Sequence, residues 1–458
     1  MNILIVGNGF DLAHGLPTQY KDFLKFVNLA NAILDDDLDT IKNIENSDGN
    51  DDKEIKKTKD FKEFINSLRD KENFKYIEEL HKLSIDNLWF DYFNLRLKEN
   101  LLFLKENWID FECEISKIII FLDKLNKKKN SFLLENNDQF LFDEPFFEIN
   151  ENEMAILIKP FVRFFNKNEY YPRTIIKNGY KFFVKTFELF KNTLINDLNQ
   201  LIRCLEIYLS LYINNLDKGL VIPEILNLKD KIDHVLSFNY TNTFERFYGR
   251  PNVEYDYIHG KASLDNTFET CQLVLGIDEY LDKEERNENI EFIQYKKYFQ
   301  RIYKRTGRKY KDWLKQIEKD NLTNRMFFGS KELNIYILGH SLDITDKDIL
   351  KDLITFYKEE NSNGVILPVK IIIYNHNQRA TASHIANLVR VITQGGLIDN
   401  VYGKDKEDPR IVFKHQNESI ALYPHITQAA HNDYLDEPGE KENIQSDLDE
   451  MDSWDNEE

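Results

Sequence analysis

The chain opens with a short, wholly apolar run, Ile3–Val6, that ends at a glycine. A continuous apolar run of this length is typical of a strand buried on both faces of a parallel sheet. The loop Gly7-Asn8-Gly9-Phe10-Asp11 follows it, and a helical pattern begins near Tyr20. Glycines in such a loop allow positive φ angles and let the backbone approach a phosphate closely. A strand-to-helix turn without a ligand explains the loop equally well, so further motifs have to decide.

Composition narrows the class of protein. The chain has 458 residues, of which 42% are hydrophobic and 13% aromatic, which is enough for a sizeable core. Its net charge of −19 opposes nucleic acid, so nucleic acid is not an expected partner. Cys113, Cys204 and Cys271 lack metal-ligand spacing, so no metal is expected. We expect a cytoplasmic protein without a signal peptide or membrane span, because no apolar stretch reaches about 18 residues.

After residue 223 short apolar runs alternate with helical patterns, which predicts an α/β fold. The predicted strands are His234–Phe238, Tyr255–Ile258, Leu273–Leu275, Ile335–Leu338 and Val369–Tyr374, and the clearest helices between them are Asp343–Tyr357 and Ala380–Val391. We expect a Rossmann-like parallel sheet with helices on both faces. Its first strand lies at the N-terminus, so a large insertion must separate that strand from the others.

Five segments follow from this pattern. Residues 1–34 hold the first strand, loop and helix of the sheet domain, and residues 35–60 are a disordered acidic loop. Residues 61–228 form an all-helical insertion, with helical spacing of apolar residues in Asp86–Glu106 and Tyr180–Ile213. Residues 229–430 complete the sheet domain. Residues 431–458 contain twelve acidic residues against one lysine, and we interpret them as a disordered tail.

A basic stretch, Tyr295–Trp313, stands out against the acidic background. Basic residues among aromatic ones can bind nucleic acid or cover a pyrophosphate. We favour a third interpretation, an amphipathic helix whose basic face pairs with acidic parts of the same protein. In Trp108–Glu112 we likewise favour a structural interpretation, with Asp110 as a helix cap and Glu112 as a first-turn acid.

Five motifs occur at predicted strand ends or in the first loop. They are the first loop with Gly15-Leu16-Pro17, Ser237-Phe238-Asn239-Tyr240-Thr241, Ile258-His259-Gly260, Gly339-His340-Ser341-Leu342 and Tyr374-Asn375. In this order they resemble the NAD-binding segments of sirtuins. Asn8, Asp11, Thr18 and Thr241 depart from that pattern.

The resemblance implies a sirtuin-like core with NAD as its substrate. It implies catalytic roles for Asn239 and His259, because a neutral histidine can take a proton from water or a ribose hydroxyl. It places the cofactor against Gly7, Asn8, Gly9, Phe10, Asp11, His14, Pro17, Gly339, His340, Ser341 and Asn375. Sirtuin deacylases usually carry a four-cysteine zinc module, which three scattered cysteines cannot form.

The whole-chain pattern, which includes Trp108–Glu112 and Gly339–Asp346, resembles the AbiH family. That family is associated with bacterial abortive infection against phage. The resemblance implies an antiphage effector, and with the sirtuin-like motifs it predicts an NAD+ hydrolase that releases nicotinamide and ADP-ribose. The alternative is a nucleotide-binding sensor or a nucleic-acid-directed toxin that uses the sheet without NAD turnover. The phage trigger and homo-oligomerisation remain open.

Overall fold

The computed structural model describes residues 1–104, 109–135, 144–168, 173–175, 179–217, 219–281, 285, 289–328, 332–356, 369–402 and 409–421. The strands are β1 Asn2–Val6, β2 Phe146–Asn150, β3 Arg173–Ile175, β4 Gly179–Phe183, β5 Leu220–Val221, β6 His234–Ser237, β7 Glu254–Tyr257, β8 Leu333–Leu338, β9 Val369–Asn375, β10 Ile411–His415 and β11 Ile420–Ala421. The acidic tail, residues 431–458, lies outside the described residues, as does Trp108.

Helices surround these strands. They are α1 Asn8–Ala13, α2 Tyr20–Leu34, α3 Leu38–Ser47, α4 Asp52–Ser67, α5 Phe74–Ser84, α6 Leu88–Glu99, α7 Phe111–Glu135, α8 Glu151–Asn168, α9 Val184–Ile207, α10 Pro223–Leu228, α11 Thr243–Tyr248, α12 Lys297–Lys304, α13 Lys309–Phe328, α14 Lys347–Thr355, α15 Gln378–Ile392 and α16 Gln394–Tyr402. Single π-helical turns follow α6 and α9, and a 3₁₀ turn, Ile344–Asp346, precedes α14. No helix in the described part of the chain is long and apolar enough to cross a membrane.

The main sheet has six parallel strands in the order β10-β9-β8-β1-β6-β7. Chain order runs outward from β1 in both directions, through β6 and β7 on one side and through β8, β9 and β10 on the other. Val6 at the end of β1 is level with Ser237 of β6 and Leu338 of β8. The loops after these three strands therefore meet at the carboxyl edge, where open α/β sheets bind ligands.

Helices cover both faces of this sheet, as the apolar run in β1 predicts. Ile3 and Ile5 pack into one core together with residues of α13, α14 and α15. Leu4 and Val6 point to the opposite face and pack with residues of α10 and α11. Because successive side chains of a strand alternate between faces, β1 must be apolar throughout.

The prediction of a disordered loop over residues 35–60 is wrong, because α3 and the first nine residues of α4 lie there. Two aspartates of this segment act as helix caps: Asp37 accepts a hydrogen bond from the Thr40 amide and Asp51 accepts one from the Lys53 amide. Ile41 and Phe61 then anchor the two helices in the core of the insertion.

The insertion is not all-helical. Strands β2, β4 and β3 form a separate antiparallel sheet within it, and β4 occupies the start of the helix expected over Tyr180–Ile213. Leu273–Leu275 is buried but is not a strand. The side chain of Gln300 hydrogen-bonds both the amide and the carbonyl of Leu275, which takes the place of a neighbouring strand.

The expected pairing holds for part of the basic stretch: among the described residues, Lys296, Lys297 and Lys311, three of its eight basic residues, form ion pairs with acidic residues of the same protein. Lys296 lies 2.7 Å from Glu279, and Lys311 lies 3.1 Å from Asp352. Lys304 donates to the carbonyl of Leu273. These contacts occupy cations that a nucleic-acid surface would need to leave exposed.

Gly339, directly after β8, offers a test of how tightly the strand-end loops pack. Its φ is +64°, and an added Cβ would lie 2.0 Å from the Phe10 amide nitrogen. We expect Gly339→Ala to lower the free energy of unfolding by more than about 2 kcal/mol, since it combines strain with a backbone clash. Urea unfolding measures this change.

Two glycine variants serve as controls for that measurement. Gly395 in α16 has no neighbour within 4 Å of an added Cβ, so Gly395→Ala should leave stability unchanged or raise it slightly. Gly49 has a φ of +58° and also no neighbour within 4 Å of an added Cβ, so Gly49→Ala measures the cost of the positive φ alone. A cost for Gly339→Ala no larger than that for Gly49→Ala would show that the loops do not pack as described.

Candidate functional site

A cavity of about 860 Å³ opens at the carboxyl edge of the main sheet. One wall comes from the loops after β1, β6 and β8, and the facing wall comes from α7 of the insertion and from residues 277–280. The volume lies within the range of small-molecule sites. The cavity therefore lies where the insertion meets the sheet.

The glycines of the first loop are required by contact with the loop after β8. The Gly9 amide donates to the Gly339 carbonyl at 2.8 Å, and an added Cβ on Gly7 would lie 2.7 Å from the His340 Cα. This close packing accounts for the Gly7-Asn8-Gly9 pattern without a bound phosphate. It also fixes His340 and Ser341 at the cavity wall.

Asp346, the last residue of the 3₁₀ turn after β8, lies at the centre of a buried polar cluster. His259 Nε2 lies 3.1 Å from its Oδ1, and His340 Nε2 lies 3.6 Å from its Oδ2. Burial acts to raise the pKa of Asp346, but Lys297 and the two histidines outweigh it and hold that pKa well below its usual range. Asp346 is therefore an anion that two histidines face.

The anion fixes the proton positions on both histidines. Nε2 of His259 donates to Asp346, and its Nδ1 has no hydrogen-bond partner among the described residues. Burial lowers the pKa of His259, so the ring is neutral at pH 7 and Nδ1 is an unprotonated base. In His340, Nδ1 accepts from the Leu342 amide, which leaves the proton on Nε2. Leu342 holds this bond with a strained φ of 56°.

Lys297, the first residue of α12, connects the cluster to the insertion. Its Nζ lies 2.7 Å from Glu112 Oε2 and 3.9 Å from Asp346 Oδ1, and it donates to Thr345 at 3.2 Å. The carboxylates raise the pKa of Lys297 despite its burial, so it stays charged.

Glu112, in the first turn of α7, behaves differently from Asp346. Burial raises its pKa to about 7, and the charge of Lys297 offsets this only in part. Tyr20 and Tyr240 line the cavity beside it. The site thus holds two carboxyl groups on one lysine, one always ionised and one that titrates near neutrality.

Asn239 and Asp11 tie the loop after β6 to the loop after β1. Asn239 Nδ2 donates to the Gly7 carbonyl at 2.9 Å, and Thr241 Oγ1 donates to Asp11 Oδ2 at 2.5 Å. Burial raises the pKa of Asp11 to about 6, although hydrogen bonds oppose the shift. Both residues also line the cavity.

The structure brings only some of the sequence-predicted residues to the cavity. Those that line it are Gly7, Asn8, Asp11, Asn239, His259, His340 and Ser341. Those outside its lining are Gly9, Phe10, His14, Pro17, Gly339 and Asn375. Most of the second group support the loops that form the wall.

Three residues of that second group have partners within the fold. His14 is buried, with Nδ1 2.7 Å from the Phe10 carbonyl and Nε2 2.7 Å from the Tyr248 hydroxyl. The Pro17 carbonyl accepts from Tyr208. Asn375, two strands from β1, contacts His384 of α15 through its Oδ1.

Asp346, Lys297 and Glu112 were not predicted as site residues. Each stood in a segment that the sequence singled out: the end of Gly339–Asp346, the basic stretch and the end of Trp108–Glu112. The local pattern favoured a structural role for Glu112 and pairing for Lys297. Their meeting point depends on tertiary packing that no local spacing encodes.

The described lining is acidic. Its carboxyl groups are Asp11, Asp110, Glu112, Asp278, Glu279, Asp343 and Asp346, against Lys117 and Lys297. Both lysines already contact carboxylates, Lys117 with Glu114 at 2.5 Å. In the described residues no group of three or more His, Cys, Asp or Glu is arranged to hold a metal ion. The arrangement can stabilise positive charge and accept protons.

Comparison with known families gives the class. The family model described as "Bacteriophage abortive infection AbiH" matches residues 3–367, which span the sheet edge, the insertion and the cluster around Asp346. The chain belongs to the AbiH family. That membership implies a role in abortive infection against phage. Neither the curated proteins nor the solved structures contain a match to the chain.

Removing the shared cation tests the cluster. We expect Lys297→Met to lower the free energy of unfolding by about 3 kcal/mol, because it leaves Asp346 and Glu112 buried without a counter-charge. Lys261→Met is the matched control, since Lys261 forms a half-exposed pair with Glu245 and its loss should cost at most about 1 kcal/mol. Equal effects in urea unfolding would contradict a buried, shared cation.

Asp11 should make stability depend on pH. Its pKa is about 6 in the fold, against an ordinary value of 3.8, so between these two values the folded protein holds a proton that the unfolded chain releases. Its contribution to stability is therefore least favourable above pH 6 and improves as the pH falls towards 4. Relative to Asp11→Asn, the wild type should gain on the order of 1 kcal/mol between pH 8 and pH 5. If urea unfolding gave the same free-energy difference between the wild type and Asp11→Asn across that range, the pKa of Asp11 would not be raised in the fold.

Proposed function

We propose that this AbiH protein hydrolyses NAD+ to nicotinamide and ADP-ribose in the cavity at the sheet edge, as the effector of abortive infection. Counted in chain order, the six strands of the main sheet have the order 3-2-1-4-5-6 of dinucleotide-binding Rossmann folds. The cavity lies where the order reverses, between β1 and β8. This topology supports a dinucleotide ligand, and it fits the sirtuin-like order of the sequence motifs.

The observation that carries the reaction is the state of His259. Asp346 orients this neutral ring through Nε2 and leaves Nδ1, a buried atom, without a hydrogen-bond partner among the described residues. His259 and Asn239 both line the cavity. A histidine held by a carboxylate with its second nitrogen unprotonated is the arrangement of a general base. Here the proton to be removed belongs to a water molecule or a ribose hydroxyl.

Hydrolysis of NAD+ needs little else from the protein. The bond between ribose C1′ and the nicotinamide nitrogen breaks, and its electron pair leaves with the nicotinamide, which becomes neutral. The oxygen of water bonds to C1′, and the water proton passes to Nδ1 of His259 and then to solvent. Asn239 binds the water or a ribose hydroxyl through an uncharged amide.

The acidic lining of the cavity favours binding of the nicotinamide end of NAD+. Nicotinamide is cationic before cleavage, and positive charge then moves onto the ribose, so carboxylates stabilise both the ground state and the transition state. We place the negatively charged pyrophosphate against Gly7, Asn8 and Ser341, three lining residues that carry no charge themselves. This placement keeps the two phosphates away from Asp278 and Glu279.

Nicotinamide release from NAD+ by the full-length protein, purified from phage-challenged cells, tests the proposal. We expect His259→Ala to reduce release at least about 100-fold, the usual size of a lost general base. Asn239→Ala should reduce release by a similar factor of about 100, because it removes the amide that positions the water or a ribose hydroxyl. His81→Ala is the matched control, because His81 lies on α5 and hydrogen-bonds Asn31 outside the cavity. Its release rate should equal that of the wild type.

The possible outcomes test the proposed reaction and the proposed roles of the two residues separately. Nicotinamide release by the wild type and by both site variants at equal rates would overturn the roles of His259 and Asn239. Binding of NAD+ without release by the wild type would overturn hydrolysis and indicate a nucleotide sensor.

A further inference from the structure

Glu112 is an acidic residue of the insertion that contacts the His259 cluster through Lys297. It lies in the first turn of α7, whereas His259 and Asp346 follow strands of the main sheet. Its side chain is 22% exposed, and it lines the cavity.

Lys297 does not neutralise Glu112. The single ammonium group is shared between Glu112, at 2.7 Å, and Asp346, at 3.9 Å. Two ionised carboxylates on one lysine leave one net negative charge, and the neutral His259 adds none. When Glu112 is ionised, the cluster therefore presents one uncompensated negative charge at the cavity wall.

We propose that Glu112 is a catalytic residue, whose carboxylate accepts hydrogen bonds from the ribose hydroxyls of NAD+ and stabilises the positive charge that develops on the ribose. This inference rests on the proposed function. Glu112 forms no covalent bond: the electron pair of the broken bond leaves with nicotinamide, and His259 takes the water proton. The insertion is then part of the active site, and catalysis requires it to stay docked on the sheet.

The groups that face Glu112 define how its charge depends on pH. They are Lys297 on α12, Asp346 after β8, Asp110 before α7, Tyr20 on α2 and Tyr240 after β6. Burial sets the pKa of Glu112 at about 7. Because the ionised form is the active one, the turnover number of the wild type should rise as the pH passes through about 7.

The test is the pH profile of nicotinamide release by the wild type and by Glu112→Gln. Glutamine can still accept from Lys297, so the fold should survive, which thermal unfolding checks. We expect Glu112→Gln to lower the turnover number at least about 100-fold and to abolish the rise near pH 7. The turnover number of Glu112→Gln should still increase with pH, but at a pH below 6.5. This increase reflects the deprotonation of His259, because burial lowers the pKa of His259 from 6.5.

Glu245→Gln is the matched control. Glu245 also accepts from a lysine, Lys261 at 2.6 Å, but it does not line the cavity. Its variant should keep the wild-type profile. Glu112→Asp, which retains the charge, should keep the rise near pH 7 and part of the rate.

The outcomes are distinguishable. A Glu112→Gln protein with wild-type turnover, or with reduced turnover and an unchanged rise near pH 7, would overturn the catalytic role, since a residue that only positions Lys297 would not remove the rise. A wild-type protein that releases no nicotinamide at any pH would overturn the proposed function and this inference with it.

Discussion

The contact of Lys297 with two carboxylates is the interaction on which the rest of the site depends. It joins Glu112 of the insertion to Asp346 of the main sheet, and the cavity lies between these two units. A buried ion cluster of this kind is costly to form and more costly to break, because any member left alone is an unpaired buried charge. The cluster therefore links the position of the insertion to the integrity of the site.

The two carboxyl groups that contact Lys297 differ in their ionisation. Asp346 stays ionised and holds His259 in the tautomer that leaves Nδ1 free of a proton. Glu112, held by the same lysine but more strongly affected by burial, titrates near pH 7. Asp346 thus orients the base at every pH near neutrality, whereas the charge that Glu112 presents to the cavity depends on pH. The loops that contain Gly7, Gly9 and Gly339 pack closely against one another, and this packing fixes one wall of the cavity.

The main sheet could be predicted from the sequence because each of its strands is encoded by a short, local run of residues. Apolar runs such as Ile3–Val6 report strands buried on both faces, and their alternation with helices gives the α/β class. The helices in residues 35–60 were missed because their capping aspartates resemble loop residues, and Leu273–Leu275 was misread because Gln300 replaces a strand partner. The cluster at Asp346 joins residues far apart in sequence, so the resemblance to sirtuin motifs pointed to His259, whereas no local pattern pointed to its partners.

We propose that this cavity consumes NAD+ when phage infects the cell. NAD+, nicotinamide and ADP-ribose can be quantified in phage-challenged cells that carry the wild type or His259→Ala. We expect NAD+ to fall while nicotinamide and ADP-ribose rise in wild-type cells, and none of these changes to occur with His259→Ala. Arrest of infected wild-type cells at an unchanged NAD+ level would contradict it.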